Sequence, residues 1–297
     1  GVNGNFGMKL HEHDKYDGSH RARKSFHFFD NVIVCLGTSI ENTDSKHNTE
    51  TTVFQMAATD GKAQNYWKNY AVGNGKSWLD HAGTGYYTPQ PVKFTGLVKQ
   101  ESRMQNTDKQ TEGQWASLYF DHGKAPKNAS YEYAVIPQTT REKIDAFAAA
   151  PTYKVLRADN EAHIVSSDAT HTVSYVLFET PKNVLPGGPL LKADTTCLAM
   201  VRMINSKKML LTVTQPDLAL YRGPNDDIYK DGKRVERSVY SRKWRSNASQ
   251  EIPVRITLRG KWNFTGNDAI KLVEQTKKST TIEFVCTDGL SFNVELE

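Results

Sequence analysis

Thr281-Ile282-Glu283-Phe284-Val285-Cys286-Thr287-Asp288-Gly289-Leu290-Ser291-Phe292-Asn293-Val294-Glu295-Leu296 decides the fold class. Ile282, Phe284 and Cys286 alternate with Thr281, Glu283 and Val285. Beyond Thr287-Asp288-Gly289, the residues Leu290, Phe292, Val294 and Leu296 alternate with Ser291, Asn293 and Glu295. A period of two sends successive side chains of an extended chain to opposite faces, so one face is apolar and the other wet. An Asp-Gly pair between two such runs is a turn signal, and the stretch reads as a β-hairpin.

The same rhythm spreads outward. Ile252, Val254, Ile256 and Leu258 alternate with Pro253, Arg255, Thr257 and Arg259, and Pro253 places that segment at an edge or a strand start. Leu198 to Met203 and Met209 to Thr214 flank an Asn205-Ser206 turn, and Tyr229 to Arg234 reads as another hairpin. In the N-terminal half, Ser25 to Phe29 and Val32 to Leu36 pivot at Asp30-Asn31, with further strands at Thr51 to Met56 and Ser117 to Phe120. Val32-Ile33-Val34-Cys35-Leu36 is continuously apolar, as a strand covered on both faces must be. Tyr70 to Gly85 and Gln100 to Gly113 read as long loops, the kind that carry function on a β scaffold.

Helix signals are few. Thr139 and Glu142 have the spacing of a capping box, Arg141 to Ala150 holds good helix formers, and Pro151 stops the run. Gly61 to Tyr70 reads as a second short helix with Tyr66 and Trp67 as its packing residues. The pause in strand patterning places a domain boundary near Ala150. The expected architecture is all-β, with domains at 1–150 and 151–297.

Composition narrows the function. The chain has 297 residues, 38% hydrophobic and 24% charged, which suits a folded protein with a sizeable core. No stretch approaches the roughly 20 apolar residues of a membrane helix, so no membrane partner is expected. Gly1 opens a polar sequence without a start methionine, as in a processed chain or a fragment. Cys35, Cys197 and Cys286 lie far apart in apolar runs, as buried free thiols do. The net charge of +5 is modest. It fits an anionic partner, with plain solubility as the competing reading. No nucleic-acid-binding module signature is present, and nucleic acid is not the expected partner.

His11, Glu12, His13 and Asp14, with Asp17 and His20, form the densest group of metal-ligand types, but their spacing is not that of a zinc site, and solvated turn residues explain them equally. Asn225-Asp226-Asp227 offers calcium-type oxygens yet lacks the glycine and closing glutamate of a helix-loop-helix calcium site, so it reads as a turn. No cofactor is expected, with calcium the one ion left open. The nucleophile elbow, the phosphate loop, the dinucleotide fingerprint and the zinc-protease motif are all missing. Lys76 to His81 and Gly83 to Tyr87 mix rings with polar groups. That mixture suits sugar stacking, with Trp78 and His81 as contacts, and it suits ordinary packing as well.

A resemblance adds to this reading. Gly7-Met8-Lys9-Leu10, then 22–37, then Ile40-Glu41-Asn42-Thr43 and Glu50-Thr51-Thr52, resemble the central β domain of the family-eight polysaccharide lyases. Trp78-Leu79-Asp80-His81 with Gly85-Tyr86-Tyr87, and Asp121-His122-Gly123 through Asn128 to Tyr133, resemble the broad-specificity bacterial chondroitin sulfate lyases of that family. Tyr153 to Arg157 and Glu161-Ala162-His163 are similar to the start of its small C-terminal β domain.

The resemblance implies an antiparallel super-sandwich portion to about Ala150, followed by a smaller C-terminal β-sandwich. It implies a secreted or periplasmic bacterial enzyme that cleaves chondroitin and dermatan sulfate by β-elimination at uronic acid. An N-terminal α/α toroid of the same polypeptide would carry the catalytic His, Tyr and Arg, and the catalytic Glu would also precede Gly1. No catalytic residue is therefore assigned to this chain, which is expected to brace the cleft and to be inactive alone. Dense sulfation on the substrate makes Arg21, Arg23 and Lys24 candidates for a cleft rim, since Arg suits bidentate contact with sulfate or carboxylate. The competing reading is that they are edge-protecting charges. The competing class of function is a non-catalytic carbohydrate-binding β-sandwich protein.

Overall fold

The computed structural model describes residues 3–13, 17–70, 75–104, 107, 109–217, 228–235 and 249–297. Strands β1 (Asn3–His11) and β2 (Arg21–Phe29) open the chain. β3 (Val32–Glu41), β4 (Asn48–Ala57), helix α1 (Gly61–Lys68), β5 (Ser77–Leu79), β6 (Gly85–Tyr87), β7 (Lys93–Arg103), β8 (Gln110–Lys124), β9 (Ala129–Ile136) and helix α2 (Arg141–Ala149) follow. Next come β10 (Tyr153–Ala158), β11 (Ala162–Ser167), β12 (Thr172–Leu177), β13 (Leu190–Ala193), β14 (Cys197–Asn205) and β15 (Lys208–Thr214). The last six strands are β16 (Ile228–Lys230), β17 (Lys233–Val235), β18 (Ile252–Arg259), β19 (Ile270–Gln275), β20 (Ser279–Cys286) and β21 (Phe292–Leu296). The fold is all-β, and every registered strand pair is antiparallel. No helix among the described residues is long and apolar enough to cross a membrane.

The chain forms two compact units. One comprises Gly1–His27 with Tyr153–Glu297, the other Phe28–Thr152. In the first unit, a sheet ordered β10-β11-β12-β14-β15-β21 packs on a sheet ordered β13-β18-β20-β19. Tyr175, Val201 and Leu211 from one sheet meet Val254, Ile256, Ile282 and Phe284 from the other in a single core. The opposite face of the larger sheet is also covered, because β1 lies across it. Asn3 donates to Thr172 Oγ1 at 3.1 Å and Asn5 to Ser174 Oγ at 3.0 Å. A Cβ on Gly7 would stand 2.5 Å from Val176 Cγ1. Alternate residues of β1 thus match alternate residues of β12, and glycine is needed where the Val176 side chain presses against β1. This double covering is why consecutive residues of β11, from Ala162 to Val165, are all buried.

The opening stretch corrects its own simplest reading. β20 keeps its alternation, with Thr280, Ile282, Phe284 and Cys286 buried. It pairs with β18 and β19, whereas β21 pairs with β15 in the facing sheet. The expected hairpin is an arch between two sheets. Both strands need one dry face for the same core, so their pattern is the same in either arrangement. Pro253 opposes only Val285 of β20, since β13 on the other side reaches no further than Ile256. Its missing N–H therefore costs no ladder bond. β14 and β15 form the expected hairpin, and β16 and β17 another.

In the second unit, β3-β9-β6-β5 is one sheet run and β4-β8-β7 another. Val34, Cys35 and Leu36 of β3 are all buried, as the continuous apolar run requires. Burial pushes the Cys35 thiol up to about 12. All three cysteines are free and buried. α1 begins at Asp60, whose side chain accepts from Ala63 N at 2.8 Å. α2 is capped by Thr140 rather than Thr139. Thr139 N is instead engaged by Gly83 O at 2.8 Å, which holds it in the preceding segment. The two expected loops contain strands. β5 lies within Tyr70 to Gly85, and Gln100 to Gly113 is the ladder of β7 and β8, with Gln100 opposite Gly113 and Arg103 opposite Gln110. That ladder is polar on both faces and gives no alternation to read. Lys99 braces it by ion pairs to Glu101 at 2.9 Å and Glu112 at 2.7 Å.

Candidate functional site

The basic end of β2 belongs to the first unit. Arg21 is exposed there, Arg23 and Lys24 half-buried. Arg23 Nη2 lies 3.3 Å from Glu179 Oε1, which Lys9 Nζ also reaches at 2.8 Å. The Lys9 hydrogen bond, helped by Arg23, holds the Glu179 carboxyl below its ordinary value. Arg23 Nε is buried without an acceptor among the described residues. Burial pulls the Lys24 ammonium below its ordinary range.

Beneath this rim lies a buried polar seam. Ser25, His27, His163 and Ser174 are each sealed from solvent. Ser25 Oγ is 2.9 Å from His27 Nε2 and 2.7 Å from His163 Nδ1, and His27 Nδ1 is 2.7 Å from Ser174 Oγ. One proton direction satisfies these bonds. Asn5 donates to Ser174, Ser174 to His27 Nδ1, His27 Nε2–H to Ser25, and Ser25 to His163 Nδ1. It requires both imidazoles to be neutral. Burial, reinforced by His163, brings His27 down to about 3. Burial brings His163 to about 4 against the opposing pull of Asp159. Burial keeps both imidazoles neutral, and their hydrogen bonds join β2 to β11 and β12.

Trp78 and His81 belong to the second unit. Trp78 is 3% exposed and its Nε1 donates to Thr88 Oγ1 at 3.0 Å, so its ring is core and offers no face for sugar stacking. Phe94 lies against it with ring centres 5.7 Å apart. His81 is half-buried, and its Nδ1 accepts from Trp67 Nε1 at 3.1 Å. Asp80 between them is buried and accepts from Ala82 N, Thr84 N and Tyr86 Oη, which makes this segment a tight structural turn. Tyrosines here are poor proton donors, since burial raises Tyr66 to about 12 and pushes Tyr86, Tyr131 and Tyr133 up as well.

Of the five residues singled out in the sequence, Arg21, Arg23 and Lys24 share one unit, and Trp78 and His81 share the other. Lys9 and Glu179, which complete the ion-paired rim, carried no sequence signal, because their link spans 170 positions. His27 stood out only by its strand position, opposite in direction to Phe26 and Phe28. Among the described residues no cluster of His, Cys, Asp or Glu could hold a metal ion. Asp14 and Asn225-Asp226-Asp227 lie outside the described residues.

Residues 1–148 match the model of polysaccharide lyase family 8, super-sandwich domain. Over all 297 residues the chain is 58% identical to a chondroitin sulfate ABC exolyase of Bacteroides thetaiotaomicron, of which it spans 29%. The chain belongs to polysaccharide lyase family 8. A second relative, the chondroitin sulfate ABC exolyase of Proteus vulgaris, is 37% identical over 275 residues, 89% of this chain and 27% of that protein. The chain thus spans less than a third of either relative's length. Among solved structures, the chondroitin AC lyase of Streptomyces coelicolor A3 superposes with a TM-score of 0.72 at 17% identity, covering 100% of this chain and 35% of the other. A xanthan lyase of Paenibacillus gives 0.70 at 17% identity, covering 99% and 27%. These two likenesses confirm the family fold.

Proposed function

We propose that this family-8 chain is the C-terminal β portion of a chondroitin and dermatan sulfate lyase that cleaves by β-elimination at uronic acid. The observation that carries the reading is the 58% identity, along the whole chain, to a chondroitin sulfate ABC exolyase. In such a reaction the uronate carboxylate is neutralised, a base removes the adjacent proton, and an acid protonates the departing glycosidic oxygen. The histidines of the seam are sealed from solvent and the buried tyrosines hold their protons tightly, which makes these groups poor candidates for the base or the acid. We assign the catalytic set to an α/α toroid in the same polypeptide, and to this chain the work of bracing the cleft. Arg21, with Arg23 and Lys24 behind it, supplies positive charge at its rim. A polymeric, highly charged substrate that does not cross membranes favours a periplasmic or secreted enzyme.

The test is ultraviolet detection of the unsaturated uronate. The purified chain should release none from chondroitin sulfate, and the polypeptide extended by the toroid should release it readily. Robust turnover by the chain alone would overturn the division of roles. Products without a double bond from the extended protein would overturn the lyase reading itself.

A further inference from the structure

The first unit carries a second surface, formed around β19. Trp262, Phe264, Asn267, Lys271, Leu272 and Gln275 line a groove of about 470 Å³. Its floor is pinned on several sides. Trp262 N donates to Thr280 Oγ1 at 2.9 Å, Trp262 O accepts from Gln275 Nε2 at 2.7 Å, and Trp262 Nε1 donates to Arg259 O at 2.7 Å. Asn263 and Glu297 exchange backbone bonds of 2.7 and 2.9 Å. With its indole N–H satisfied internally, Trp262 presents ring surface held in place before any ligand arrives, so binding there carries little ordering cost.

Positive charge outweighs negative charge in the segment that forms this groove. Gly260 N donates to Lys278 O at 2.7 Å, which sets the Lys277-Lys278 turn beside Arg259 and Lys261. From Arg259 to Lys278 there are five basic residues, the fifth being Lys271, against two acidic ones, Asp268 and Glu274. All five are exposed, and none pairs with a carboxylate among the described residues. The nearby Glu297 side chain is taken by Lys208 at 3.0 Å. Protection of an edge strand accounts for Lys271 on β19. It does not account for two aromatic rings and three amide residues lining a preformed groove beside it.

We propose that this groove is a non-catalytic docking site for a sulfated glycosaminoglycan chain. Trp262 and Phe264 take the apolar face of a sugar ring, Asn267 Nδ2 and Gln275 Oε1 its hydroxyls, and the lysines and Arg259 the sulfates and carboxylates. The choice of ligand rests on the lyase reading; the existence of an anion-binding aromatic groove does not.

Binding of polymeric chondroitin sulfate to the 297-residue chain, followed by titration calorimetry at low salt, tests the site. The double variant K277E/K278E should weaken binding about tenfold, since rim charges on exposed surfaces act through screened attraction. Its thermal unfolding should be unchanged. Trp262→Ala should weaken binding as well, and Lys271→Glu repeats the test without touching the core should Trp262→Ala fail to fold. No binding by the chain, unchanged affinity in both charge variants, or equally tight binding of unsulfated hyaluronan or of duplex DNA would each overturn the proposal. Failure is separable from that of the enzymatic reading. Charge-insensitive binding sinks the docking site whatever the extended enzyme does, and an extended enzyme without unsaturated product sinks the lyase reading whatever the groove binds.

Discussion

In the second unit several buried polar atoms sit at the tips of rings: Trp78 Nε1 on Thr88, Trp67 Nε1 on His81, Tyr86 Oη on Asp80. In the first unit they sit on a line of short side chains and imidazoles, Asn5, Ser174, His27, Ser25 and His163, between a strand layer and the sheet beneath it. Both arrangements satisfy their donors and acceptors, as buried polar groups require. They differ in what can undo them. Trp78 Nε1 and Tyr86 Oη keep their protons across the ordinary pH range, so this part of the aromatic core depends on packing. The seam needs two neutral histidines, so it depends on pH as well.

A large single-residue effect that would break this contrast comes from the aromatic side. Trp78→Ala should destabilise the second unit by about 3–5 kcal/mol, the usual cost of emptying a buried aromatic site. Urea unfolding followed by tryptophan fluorescence measures it, and a stable variant with weakened polysaccharide binding would instead return Trp78 to the surface. Acid should act on the other side. Folded-state values of about 3 for His27 and about 4 for His163 lie below the ordinary 6.5, so the unfolded chain binds more protons between them. Stability is then full above about pH 6.5 and falls as pH drops toward 4, by about 1.4 kcal/mol per pH unit for each histidine. Denaturation midpoints of the first unit at several pH values should show this slope, with His163→Gln flattening it; a pH-independent midpoint would mean the seam is already open.

Gly7→Ala is next. Its methyl would press on Val176 at 2.5 Å, so a loss of about 1–3 kcal/mol is expected, confined to the first unit. The smallest effect is Thr140→Ala, which removes the cap of α2 and should lower stability by about 1 kcal/mol. The same change at Thr139 should spare the cap, a distinction that thermal melts of the two variants resolve.

Much of this was legible in the residues themselves. Alternation from Thr281 to Leu296 and from Ile252 to Arg259 established strands and named their dry faces, the apolar run after Asn31 announced a strand covered twice, and the three cysteines were readable as buried thiols. The motif succession carried the family. What the chain's order could not convey was which edge each strand would meet. A period of two records only whether a face is dry, so it is the same for a hairpin and for the arch that sends β21 to β15. Nor could it show that Asn3, Asn5 and Ser25 would find Thr172, Ser174 and His163 across 138 to 169 positions, where no local pattern links the partners. Neutrality of His27 follows from such long-range meetings, and burial of Trp78 and the groove beside Trp262 from tertiary contacts closer along the chain. Local sequence determined which residues would be strand and which side would be dry; tertiary packing decided their neighbours, because solvent exclusion and hydrogen-bond partners exist only once distant segments have met.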